Sequence, residues 1–119
     1  MKIFISQKMS GLTDDEIITR RHEIMEICKR EFREPCEFID SFTKSDEQIK
    51  DGPISMLGDS ISKMCDADLV VFDSRWEESR GCNVERMVCA EYHIPVYDIG
   101  NPSNRIHKVS VDSDTMFWR

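Results

Sequence analysis

Asp68-Leu69-Val70-Val71-Phe72 and, after a loop, Ser79-Arg80-Gly81-Cys82-Asn83-Val84-Glu85 decide how this chain folds. The first stretch is a continuous apolar run, as expected of a strand buried on both faces in the middle of a parallel sheet. The second opens an amphipathic segment that runs to about His93 and reads as a helix. Strand, glycine-containing loop and helix together predict Glu85 in the first helical turn, above the strand ends. Unpaired N–H groups and partial positive charge gather at such a terminus. The carboxylate is therefore expected to stay ionised and to face the crevice in which open α/β sheets bind ligands.

The same alternation extends in both directions. Lys2 to Ser6 reads as a buried first strand. Thr13 and Glu16 have capping-box spacing. Ile17, Ile24, Ile27, Cys28 and Phe32 then follow at near-helical spacing to about Arg33, and Glu34-Pro35 ends the segment. Cys36 to Ile39 is a second short strand, and Thr43 to Gly52 reads as a polar, mobile loop. Gly52-Pro53 suits a helix start, with Ile54, Leu57, Ile61 and Met64 as its apolar stripe. Ile94 to Ile99 is a fourth strand, and Ile106 to Val111 is an edge strand. Phe117-Trp118 near the end are expected to dock on the domain or on a second subunit. Strands and helices alternating in units of about 30 residues predict a single α/β domain over 1–119. The expected architecture is a doubly wound, mainly parallel sheet of four to five strands with helices on both faces, Rossmann- or flavodoxin-like.

Composition narrows the function. With 119 residues the chain can build one real core, and 33% charged against 39% hydrophobic residues is a globular balance. A net charge of -7 argues against a nucleic-acid polymer as partner but leaves room for a small nucleotide. No apolar run reaches membrane-spanning length and no signal peptide is evident, so a cytoplasmic protein without membrane partners is expected. Cys28, Cys36, Cys65, Cys82 and Cys89 are odd in number and lack CxxC spacing, which fits reduced thiols and no zinc site. Asp66, Asp68 and Asp73 lack a metal-ligand pattern and read as caps, turns and strand ends. His22 reads as a solvated helix face and His93 as a helix C-terminus. Cys82, at a helix start, is a candidate for a lowered thiol pKa.

Four polar clusters fall where the predicted sheet places its strand ends. They are Ser6-Gln7-Lys8-Met9-Ser10-Gly11, Asp40-Ser41, Asp73 to Gly81, and Asp98 to Asn101. Small hydroxyls and glycines beside backbone N–H groups suit a phosphate or ribose. They are also turn-formers in their own right. A glutamate on the adjacent helix suits attack on a sugar carbon. Trp76, a large aromatic in a loop, either covers a pocket or packs on a partner.

Over roughly residues 1 to 100 the chain resembles the nucleoside 2-deoxyribosyltransferase-like superfamily, close to its small phage and bacterial members. The resemblance is carried by Lys2-Ile3-Phe4-Ile5-Ser6 with Met9-Ser10-Gly11, by Ile39-Asp40-Ser41-Phe42, and by Leu57-Gly58 with Ser60-Ile61. It continues through Ala67-Asp68-Leu69-Val70-Val71, Trp76-Glu77, Arg80-Gly81-Cys82 to Glu85, and Ile94-Pro95-Val96. It implies cleavage of an N-glycosidic bond, or deoxyribosyl transfer, on a deoxynucleoside or its 5′-monophosphate. Glu85 matches the nucleophile. Ser79, beside Arg80, matches a phosphate-contacting serine. Ser6, Gln7, Met9, Ser10, Gly11, Asp40, Ser41, Trp76, Ser79, Arg80 and Gly81 become the implied substrate-binding set. No metal or organic cofactor is implied, and a homo-oligomer is.

Two departures stand out. The family aspartate that assists the leaving base or orients the nucleophile falls on Ser60, with Asp59 one residue away and turned by about 100° around the helix. Phe4 occupies the neighbourhood of the family's strand-one tyrosine and has no hydroxyl. Asp59 and Ser60 are thus both candidates for the assisting role. Two other functions are compatible: a nucleotide-binding or sequestering module without turnover, and a glycohydrolase of an NAD-like or signalling nucleotide.

Overall fold

Leu69–Phe72 forms the strand β3, and all four of its residues are buried. The computed structural model describes residues 1–42 and 45–110. Beside β3 runs β1, Lys2–Ser6, parallel and in a register that sets Ile3 against Leu69 and Ser6 against Phe72. On the far side of β1 lies β2, Glu37–Phe38, also parallel. On the other side of β3 lies β4, Val96–Ile99, parallel, and then β5, Ile106–Val109, antiparallel. The sheet order is β2-β1-β3-β4-β5. This is an α/β fold on a five-stranded, mostly parallel sheet.

Side chains alternate across a strand, so β1 and β3 feed two cores at once. Ile3, Ile5, Leu69 and Val71 pack with Ile24, Ile27 and Cys28 of α1, Asp14–Glu31. Phe4, Val70, Phe72 and Val96 pack with Met64 of α2, Ser45–Met64, and with Cys82 and Cys89 of α3, Arg80–Tyr92. Burial on both faces explains why these strands are uninterrupted apolar runs.

Local signals account for most boundaries. The Thr13 hydroxyl accepts the Glu16 N–H at 3.1 Å, and the Glu16 carboxylate accepts the Thr13 N–H at 3.0 Å, which closes the capping box. In α2 the chain kinks at Gly52, whose φ of 76° is open to glycine at little cost, and Pro53 starts the next turn. Before the kink, Ser45 to Asp51 form helical turns instead of the expected loop. Glu47, Gln48 and Lys50 are good helix formers, and polarity alone does not separate a solvated helix from a loop. Thr43 and Lys44 lie outside the described residues.

The α2 stripe is also shorter than its spacing predicts. Met64 is buried and Leu57 and Ile61 are half-buried, but Ile54 is 86% exposed. Its turn borders a cleft and does not cover the sheet. Val111 and the Phe117-Trp118 pair lie outside the described residues. No described helix is long and apolar enough to cross a membrane.

Candidate functional site

Glu85 lies on the buried stripe of α3, in line with Cys82 and Cys89, and is only 7% exposed. The helix begins at Arg80, because the Ser79 hydroxyl accepts the Cys82 N–H at 3.3 Å and caps it. Glu85 is therefore in the second turn, and the first turn carries no acid. This corrects the expected first-turn placement. The last residue of β1 meets it there: the Ser6 hydroxyl donates to Glu85 Oε1 at 2.7 Å.

The setting also changes the charge expected of this group. Burial pushes the Glu85 carboxyl up to about 7, against the Ser6 hydrogen bond and the Arg21 charge, which pull it down. The carboxyl is thus poised near neutrality and not firmly ionised. Cys82 departs from its expectation in the same direction. Burial raises its pKa, outweighing its contacts with the Ser6 and Ser79 hydroxyls.

In front of Glu85 opens a cleft of about 1110 Å³. It collects Gln7, Met9 and Ser10 from the loop after β1, and Ser41 from the segment after β2. Ile54, Met56, Leu57, Asp59, Ser60 and Lys63 contribute the α2 wall, and Ser79, Arg80, Gly81 and Cys82 line the start of α3. The loops after β1 and β3 thus meet where the chain order along the sheet reverses, the crevice in which such sheets hold ligands. A smaller hollow of about 540 Å³ lies on α1, beside Thr19, His22 and Arg30, and its ionisable groups are all exposed.

Most of the site residues expected from sequence meet here, but four do not line the cleft. Ser6 lies beneath it, bonded to Glu85. Gly11 forms an exposed turn with a φ of 81°, and Asp40 is exposed at the end of β2. Trp76 packs edge-on to Phe72, with its ring centroid 4.0 Å from the Arg86 guanidinium. It is part of the core on that face. Asp59 and Ser60 both reach the cleft, Asp59 exposed and Ser60 half-buried. Phe4 is 1% exposed in the core.

Two further acids of the expected clusters are engaged elsewhere. Asp73 accepts a two-pronged contact from Arg20, its Oδ1 2.7 Å from Nη2. Asp98 accepts Arg86 Nη1 at 2.7 Å and Nη2 at 3.0 Å. Among the described residues no group of three His, Cys, Asp or Glu side chains is arranged to hold a metal.

Arg21 is a site residue that composition hides. It is 5% exposed, and its guanidinium donates to Gln7 Oε1 at 3.2 Å, to the Ile39 carbonyl at 3.2 Å and to the Ser41 hydroxyl at 2.9 Å. Its position does carry a signal, since residues 17, 21, 24 and 28 share one helix face and the other three are apolar. No protein-family model matches this chain, and neither a curated protein nor a solved structure does.

Proposed function

We propose that this protein cleaves the N-glycosidic bond of a deoxynucleoside or its 5′-monophosphate, releasing the base to water or exchanging it for another. Glu85 is the nucleophile in this reading. The observation that carries it is a buried carboxyl on the wall of a large cleft, pinned through one oxygen by Ser6. The other oxygen, Oε2, takes no hydrogen bond from the described residues. Burial strips water from the group and the Ser6 bond restricts its rotation, which together favour attack on an electrophilic carbon.

In the first step a Glu85 oxygen bonds to the anomeric carbon. The carbon–nitrogen bond breaks, and its electron pair leaves with the base, which is protonated as it goes. Asp59 on the α2 wall is the candidate proton donor, with Ser60 beside it. In the second step water or another base attacks the same carbon, gives up its proton to the group that protonated the leaving base, and frees the Glu85 carboxylate. The hydroxyl at the end of β1 here belongs to Ser6. It donates to the Glu85 carboxylate, whereas Phe4 on the same strand has no hydroxyl to offer.

Ser10, Ser41 and Arg80 in the cleft are the groups proposed to hold sugar and phosphate, with Ser79 capping the helix beneath them. Core clusters on both sheet faces support a doubly wound arrangement. The proposed partner is a small nucleoside or nucleotide, and the proposed working form is a homo-oligomer in the cytoplasm. The chemistry calls for no metal or organic cofactor.

The test is release of free base from each deoxynucleoside and deoxynucleoside 5′-monophosphate. Wild type should release base from at least one of them, and Glu85→Ala should lower the rate by about a thousandfold or more. Equal rates for the two proteins would exclude the nucleophile. The exposure of Asp59 favours one rival, a binding module without turnover. Tight stoichiometric binding in calorimetry, with the ligand recovered intact, would select it.

A further inference from the structure

Four acidic or basic side chains are buried among the described residues: Arg21, Asp73, Glu85 and Arg86. Two have found partners, Asp73 with Arg20 and Arg86 with Asp98. The remaining two, Arg21 and Glu85, form no ion pair with any described residue. They are opposite in sign and converge on consecutive residues of one strand end. Glu85 accepts from Ser6, and Arg21 donates to Gln7. A buried charge without a counter-charge is costly.

We propose that Arg21 is the positioning residue of this site: held beneath the cleft by Gln7, Ile39 and Ser41, it supplies from α1 the positive charge that balances the Glu85 carboxylate. The same guanidinium fixes the two polar side chains, Gln7 and Ser41, that share the cleft with Glu85. Arginine suits the task. Its planar fork serves three acceptors in two segments, the one after β1 and the one after β2, and it stays charged when buried.

Across the cleft Glu85 shares its walls with the charged Asp59 and Lys63 of α2, with Glu78 ahead of α3 and with Arg80 at its start. From β1 comes the neutral Ser6 hydroxyl. From its own helix come the Cys82 and Cys89 thiols, both raised by burial and so neutral near pH 7. Arg21 is the charge from another element that acts on the carboxyl, pulling it down against burial. Burial lowers the Arg21 pKa, against the pull of Asp40, exposed at the end of β2, and then of Glu85, which both favour its charge.

The inference rests on this cleft being the site proposed above, but its test needs no turnover. Carbon-13 labelling of glutamate lets the Glu85 carboxyl be titrated by NMR in the free protein. In Arg21→Gln the midpoint should rise by about one unit or more, whereas Arg21→Lys, which keeps the charge, should stay within about half a unit of wild type. A midpoint unmoved in Arg21→Gln, or raised as far in Arg21→Lys as in Arg21→Gln, would overturn the proposal. Should Arg21→Gln fail to fold, the wild type still decides. The Arg21 guanidinium nitrogen resonances should shift with the Glu85 midpoint, and resonances flat through that midpoint would overturn it. Base release is measured separately, so a failure there leaves this charge pairing standing, and the reverse holds too.

Discussion

A carboxyl with its midpoint near 7 ties activity and stability to pH in opposite directions. As a nucleophile Glu85 must be ionised, so kcat/KM is expected to rise with pH and level off above about 7. A rate that falls over the same range would make the group a proton donor instead. Stability runs the other way. Below the ordinary value of 4.5 the carboxyl is protonated in folded and unfolded chains alike. Between 4.5 and about 7 only the unfolded chain loses its proton, so folding becomes steadily less favourable as pH rises. Glu85→Gln removes that penalty. It should be about 3 kcal/mol more stable than wild type at pH 8 and no different below pH 4.5, in urea titrations at the two pH values. Ser6→Ala deletes the hydrogen bond that favours the charged form, so the midpoint of the pH–rate profile should move up by about one unit. At this scale Glu85 was legible as the candidate, because it is the glutamate in the opening turns of the helix that follows a buried strand and a glycine-containing loop. Its protonation was not, since neither its depth nor the Ser6 contact, 79 positions away, is a local property. Arg21 escaped for a related reason, as arginine on a helix ordinarily reads as solvated surface.

Elements place these residues, and their ends are where sequence and structure agree and part company. Thr13 and Glu16 announced α1 correctly. Thr13→Ala should cost about 1 kcal/mol in chemical denaturation without altering the pH–rate profile. Ser79 fits two roles: a small hydroxyl ahead of a glycine suits a phosphate contact and a helix cap equally well, and here it caps α3 while lining the cleft. The shift of the helix start to Arg80 moved Glu85 from the first turn to the second. Glu85 shares with Cys82 and Cys89 the helix face turned to the core, which is why this carboxyl is buried. The α3–β4 junction has its own fastening, the Arg86–Asp98 pair beneath the Trp76 ring. Removing one partner strands the other in a mostly dry place, so Arg86→Met should destabilise the protein by about 3 kcal/mol.

Across the whole molecule the succession of strands and helices along the chain was legible, because each apolar run is short, bounded by turn residues and, up to the fourth strand, separated from the next by a helical stripe. The direction of the last strand was not. Its pairing partner is chosen by the chain reversal between Ile99 and Ile106, not by its own pattern. The two borders of the sheet share a property. One is β2, a strand of only two residues, and the other is β5, which turns the exposed His107 and Lys108 outward. Short or charged margins give a neighbouring molecule's backbone little to zip onto. If this protein assembles in solution, the described surface directs copies to meet through helices and loops. A concentrated sample should therefore keep its far-UV signature and stay dark to amyloid dyes, even while sedimentation reports association.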